Sequence, residues 1–335
     1  MDDLRYSYAV ARINALSTKL LDRAFASRML DAAEPSDILP MLRETAYAES
    51  LTAVDNVSQL EGGLIRELQK THDLLGAICP DKELIGLFRK RYDFHNLKAM
   101  LKSKITGVPH ADAIVDLGTY SIGELSSAVR GEAYRFVPRY ISETALEALA
   151  EYRKAQALYV ISYTCDRSMW RYLMQNALKH RNKIVITLFR DYINMANIKA
   201  FVRVKEFSKT PAEAFRHYFI PGGDYELDFF LPLMDEDTSL FLSRLRDGEC
   251  ERHIIAHGFG SWEEDESFWR LEVARDNFVL YSFHQMRGQL FSIAPLIYYL
   301  LRKEAEAKLI RTVVRCKLSG MRRAETEERL RYLYV

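Results

Sequence analysis

The chain writes one basic, apolar sentence three times, and that repetition limits what it can fold into more than any other feature. "LFRKRYDFHNLKAMLKSK" occupies Leu87–Lys104 and "LFRDYINMANIKAFVRVK" occupies Leu188–Lys205. Leu188 stands 101 positions after Leu87, and Asn197 stands 101 positions after Asn96, so the two copies align without a gap and carry Asn-x-Lys-Ala in register. A third copy, "LLRKEAEAKLIRTVVRCKLSG" at Leu300–Gly320, aligns 213 positions after the first and sets Gly320 on Gly107. One face is apolar in each: Leu87, Phe88, Leu97, Met100 and Leu101; Leu188, Phe189, Ile198, Phe201 and Val202; Leu300, Leu301, Ile310, Val313 and Val314. Spacings of three and four residues are those of a helix face, and such stripes are ordinarily core.

A basic edge recurs beside that face: Lys98 and Lys102, Lys199 and Arg203, Arg311 and Arg315. The four-residue interval lines each pair up along one side of its helix. Such an edge is either a solvated helix face or a strip that meets a partner, and these six residues are the candidate partner-binding set.

Repeats near one hundred residues exceed the usual solenoid unit, so the pattern predicts triplication of a multi-helix module. The expected modules are 1–110, 111–215 and 216–335 of a single all-helical domain. Each long helix is expected to be followed by a short amphipathic one, in "TYSIGELSSAV", "KTPAEAFRHYF" and "RRAETEERLRYLY", and "LSTKLLDRAFASRMLDAAEPSDILPMLRETAY" has the same long–short order. With 15 glycines and 9 prolines, the chain lacks the turn density of an all-β protein. Asp81 is a start signal and Gly107 a stop for the first long helix, and Ser36 or Asp37 caps another near Pro40. Loops are expected around Glu34–Ser36, Gly107–Thr119, Pro221–Asp224 and Gly258–Asp265.

Composition excludes several function classes. Lys and Arg number 47 against 46 Asp and Glu, a net charge of +1, so no whole-protein field draws the chain to nucleic acid. Cys79, Cys165, Cys250 and Cys316 form no Cys-x-x-Cys pair, which argues against zinc ribbons and redox motifs and suits a reducing compartment. "MDDLRYSYAV" places acids where an export signal carries cations, and "QLFSIAPLIYYLL" is too short to cross a bilayer. No phosphate-cradling Gly-rich loop and no nucleophile elbow is present, so neither catalytic nor cofactor-binding residues are assigned. His72–Asp73 matches a phosphohydrolase dipeptide without a companion set. His253 and His257 stand four apart on a helical pattern but lack the glutamate of a zinc protease site, so no metal ligand is assigned.

"YSYAVARINALSTKLLD" at Tyr6–Asp22, with the "DFHNLKAMLKSK" and "YINMANIKAFVRVK" copies, resembles the C subunit of the bacterial and archaeal V-type (A-type) ATPase, the relative of the eukaryotic V-ATPase d subunit. The resemblance spans essentially the whole chain. It implies a funnel-shaped, all-α protein of three pseudo-repeats around an approximate three-fold axis. It further implies a non-catalytic adaptor that seats the central shaft (D/F-type subunits) on the membrane proteolipid ring and passes torque for ATP-coupled H⁺ or Na⁺ transport. Such a protein sits peripherally on the cytoplasmic face of the membrane and needs no cofactor. Leu309 stands where the first two copies have Asn96 and Asn197, which departs from strict three-fold equivalence. The alternative reading is a soluble helical scaffold unrelated to a rotary machine.

Overall fold

The three repeated segments form three helices of equal length, Lys82–Thr106, Lys183–Phe207 and Ala294–Leu318, each 25 residues long. They begin and end within one residue of the register set by the sequence. The reason is local. Gly107 and Gly320 close the first and third helices with φ of +69° and +68°, a left-handed conformation that costs glycine little. Ser208, at the matching place in the second, instead leaves in an extended conformation. Asn182 caps the start of the second by accepting a hydrogen bond from the Val185 amide.

The structure is a computed structural model that describes residues 4–208, 210–245, 248–259 and 268–334. Among these the chain is all-α, with short 3₁₀ turns and no strand. All fifteen apolar positions of the triple repeat are buried, so that face is core in each copy. The expected loops are present at Gly107–Thr119 and Pro221–Asp224, while Pro35–Asp37 is a 3₁₀ turn rather than open loop. Most of the loop expected at Gly258–Asp265 lies outside the described residues. The helix expected from Ser36 or Asp37 runs only over Ile38–Arg43.

Contacts divide the chain into two compact units, residues 1–85 with 247–335, and residues 86–246. In the second unit, Leu97, Met100 and Leu101 of the first long helix pack with Leu125 and Val129 of helix Ile122–Arg130 and with Ile141, Ala145 and Ala148 of helix Arg139–Ala155. Around the second long helix the filling is aromatic. Phe201 stacks on Phe241 with ring centres 4.1 Å apart and meets Phe215 and Phe230, all four fully buried. Aromatic pairs at such distances add to the area they bury.

In the first unit, two charged clusters centre on buried groups. Lys303 lies between Glu306 at 2.8 Å and Glu67 at 3.0 Å, and Tyr47 donates to Glu306 at 2.9 Å. Burial raises the carboxyl of Glu306 against the pull of Lys303. At Glu67 burial is outweighed by Lys303, Ser50 and Lys70, which hold that carboxyl below its ordinary value. The second cluster centres on Asp276, which takes Lys308 at 2.7 Å, Arg331 at 2.6 Å and Arg275 at 2.9 Å. Burial works against its charge, but Lys308, Arg275 and Arg331 more than offset that and depress its pKa strongly.

A depressed carboxylate adds stability that is complete above its unfolded-state pKa, near 4, and is lost as pH falls toward the folded value. The first unit should therefore lose stability progressively below about pH 5. In Asp276→Asn the difference in urea midpoint between pH 7 and pH 3, followed by hydrogen exchange in Trp269–Gln285, should shrink relative to the parent. An unchanged difference would show that another group sets the acid response.

Candidate partner-binding site

The six cations of the basic edge divide between the two units. Lys98, Lys102, Lys199 and Arg203 belong to the second, Arg311 and Arg315 to the first. Lys98 and Arg311 are held by carboxylates of neighbouring helices. Lys98 donates to Asp166 of helix Tyr159–His180 at 2.6 Å. Arg311 grips Glu61 of helix Leu60–Ile78 with two hydrogen bonds of 2.8 and 2.6 Å. Such bidentate pairs fix geometry as well as charge. Lys199 is half-buried, and Lys102 is half-buried with its charge acting on the Cys165 thiol, which burial pushes upward. Arg203 is exposed and opposes the upward shift that burial gives Tyr218. Arg315 is exposed beside Arg311 on a cavity of about 210 Å³ whose walls include Val57, Leu64 and Val314, with Leu318 at its edge 66% exposed. Lys102, Arg203 and Arg315 make no ion pair among the described residues.

The clearest recurrent chemistry lies on other residues of the same helices. Asn96 donates to the Val115 carbonyl at 2.8 Å and accepts from the Val115 amide at 2.9 Å. Asn197 does the same to Ile220 at 2.8 and 2.9 Å. One carboxamide thus saturates one backbone unit of the segment that comes back over the helix. Three residues earlier, Asp93 accepts from the Thr119 and Tyr120 amides, and Asn194 from the Asp224 amide. Gly118 and Gly223 precede these anchored residues. A methyl group on either would overlap the side-chain oxygen of Asp93 or Asn194, so only glycine lets the backbone come that close.

Two further positions complete the grip. Arg89 donates to the carbonyls of Leu117 and Gly118 at 3.1 and 3.0 Å, and Arg190 pairs with Asp224 at 3.4 Å. Near the helix ends, Lys104 donates to the Val129 carbonyl at 2.9 Å and Lys205 to the Met234 carbonyl at 2.6 Å and that of Glu236. A lysine there satisfies carbonyls that a helix or turn leaves open at its C-terminus. The asparagine of the Asn-x-Lys-Ala motif is therefore a device for holding backbone.

These anchors carried a sequence signal as legible as that of the basic edge: Arg89 and Arg190, Asn96 and Asn197, and Lys104 and Lys205 are identical pairs at one offset. The short helices expected after the long ones are present at Ile122–Arg130, Pro211–Tyr218 and Arg323–Glu328. By its anchors, however, the counterpart of Ile122–Arg130 in the second copy is the turn of helix at Leu227–Phe230, whereas Pro211–Tyr218 lies in the connection before the anchored segment.

The histidine motifs occupy other places. His72 is buried in helix Leu60–Ile78, and the rings of His253 and His257 lie 4.7 Å apart. Among the described residues no group of three or more His, Cys, Asp or Glu could hold a metal ion, and no helix is long and apolar enough to cross a membrane.

Compared with known proteins, residues 9–329 match the model of the ATP synthase (C/AC39) subunit family. The chain belongs to that family. This C/AC39 protein is 26% identical to the A-type ATP synthase C subunit of Thermococcus onnurineus over 92% of its own length and 86% of that protein's. It is 22% identical to the C subunit of the A-type ATP synthase of Methanocaldococcus jannaschii over 96% and 84%, and 24% identical to that of Thermoplasma acidophilum over 98% of both.

In this C/AC39 protein, Asn197→Leu, which writes the third copy's residue into the second, leaves the Ile220 amide and carbonyl buried without a partner. A buried unsatisfied group costs about 1–3 kcal/mol, so the variant should lose at least about 2 kcal/mol in urea unfolding. Gly118→Ala should cost about 1–3 kcal/mol through overpacking. Gly76→Ala, a helical site with nothing within 4 Å of the new methyl, should be neutral or stabilising.

Proposed function

We infer that the chain is a non-catalytic adaptor of the central rotor in a rotary V/A-type ATPase, seating the shaft on the membrane proteolipid ring and transmitting torque for H⁺ or Na⁺ transport. The observation that carries this reading is the family match over residues 9–329, together with relatives named as the C subunit of A-type ATP synthases that align over 84–98% of their own lengths. Its partners are the shaft subunits and the exposed loops of the proteolipid ring, and it sits peripherally on the cytoplasmic face. Three similar helical modules around an approximate three-fold axis, forming a funnel, are the architecture that goes with this role.

The physical character of the described residues supports it. Long helices whose connections are tied down at several points resist deformation, as a part that carries torque must. A net charge of +1 leaves partner recognition to local patches of charge. Within the basic edge, Lys102, Arg203 and Arg315 are the cations available to an acidic partner, because Lys98 and Arg311 already hold Asp166 and Glu61.

Affinity purification from detergent-solubilised membranes should recover shaft and proteolipid subunits with the chain, and the purified chain alone should hydrolyse no ATP. Recovery of neither kind of partner would remove the rotor reading. Charge reversal at Lys102, Arg203 and Arg315 together should weaken shaft binding several-fold at low ionic strength, less at high salt, with the melting temperature nearly unchanged. Parent-like binding at low salt would make the edge a solvated face.

A further inference from the structure

The anchors predict where the third long helix should hold its returning segment, and the chain supplies that segment from an unexpected place. Shifted by 213 positions, Arg89, Asp93 and Lys104 become Arg302, Glu306 and Lys317. Arg302 donates to the Leu21 carbonyl at 3.3 Å, and Glu306 accepts from the Leu21 amide at 2.5 Å. Lys317 donates to the carbonyls of Leu30 and Ala32 at 2.8 and 2.6 Å. The held residues precede their anchors by more than 280 positions, yet all belong to the first compact unit.

What these anchors hold matches the first copy in detail and the second in spacing. Val129 stands ten positions after Thr119 and Met234 ten after Asp224, and Leu30 stands nine after Leu21. Helix Arg23–Asp31 has nine residues, like Ile122–Arg130. Each starts at a side-chain cap, Asp22 accepting from the Phe25 amide and Ser121 from that of Glu124. Ala26, Met29 and Leu30 are buried at the spacing of Leu125, Ala128 and Val129. The residues that follow the third helix are held differently. Arg323 reaches Asp31 and Ser27, Arg331 reaches Asp276, and the Tyr332 amide donates to Asn277.

We propose that residues 21–32 are a strap that completes the third copy, latched to helix Ala294–Leu318 at three points by Arg302, Glu306 and Lys317. The first unit consists of two distant stretches of chain, and the strap binds one to the other. Glu306 is the deepest point of the latch. Its second oxygen is occupied by Lys303 and the Tyr47 hydroxyl, so its first is left to fix the register of Leu21. Lys317 closes the far end, where helix Arg23–Asp31 leaves its last carbonyls open. A segment held at two ends over one short helix opens as a local unit. The strap does not depend on the rotor reading, since every contact in it lies within this chain.

Hydrogen exchange read by mass spectrometry on the full chain tests this. Lys317→Met should speed exchange of amides 23–32 at least about tenfold, which corresponds to about 1.4 kcal/mol of opening free energy, and should leave 122–130 at the parent rate. Lys104→Met should do the reverse. Lys317→Arg, which keeps a cationic donor, should restore the parent rate in 23–32. Acceleration confined to 323–334 in Lys317→Met would overturn the proposal by making the following segment the one this helix holds. Equal acceleration throughout the first unit would also overturn it, because the strap would then have no separate opening.

Discussion

Irregular backbone laid against a helix must find partners for its amides and carbonyls, and the fold of this chain follows from how that demand is met. A helix satisfies its own backbone, but the segments around Val115, Ile220 and Leu21 satisfy little of theirs, the Leu117 amide on the Val115 carbonyl being one such bond. Side chains of the long helices supply them, one carboxamide or carboxylate per backbone unit. Once these segments are fixed, Leu125, Val129, Met29 and Phe230 are delivered to apolar faces that would otherwise meet water. The polar anchors contribute register; the apolar burial around them supplies most of the free energy.

Much of this was readable in the residues. The fifteen apolar positions of the repeat identified one core face on each long helix, and Asp81 and Gly107 bracketed the first of them within a residue. The functions of the polar positions were harder to read. Lys98 and Lys104 differ by under two turns on one helix, and sequence gives no sign that one meets a carboxylate on a neighbouring helix while the other caps carbonyls. Register shows that positions are equivalent, without showing what they touch. The mispairing of Pro211–Tyr218 with Ile122–Arg130 has the same origin: order along the chain is not order in space, and the anchors follow space. Leu309 alone hinted that the third copy holds its segment otherwise, since it lacks the carboxamide that saturates Val115 and Ile220.

The buried charges show a related economy. Lys303 with Glu67 and Glu306, and Asp276 with three cations, are expensive to desolvate, and apolar residues of similar volume would often serve stability as well. Their geometry is specific, however. Glu306 joins the third long helix to both Leu21 and Tyr47, and Asp276 joins helix Trp269–Gln285 to Lys308 and Arg331. Both clusters tie residues far apart in the chain, where loop closure is costly and a misplaced apolar contact would go unpunished. In this C/AC39 protein such directional contacts are where polar residues are most informative.

The connection between each long helix and its anchored segment has a different character. From the end of the first helix to Val115 it spans residues 107–114 and contains only a 3₁₀ turn, while from the end of the second to Ile220 it spans 208–219 and includes helix Pro211–Tyr218. Four extra residues were accommodated without moving a single anchor out of register. Descent from a common copy is therefore free to lengthen, shorten or refold this stretch, and divergence among the copies should gather there while the anchors drift slowly. An aligner that penalises gaps inside the connection will lose the kinship of the copies; one that forgives them between Gly107 and Val115 will keep it.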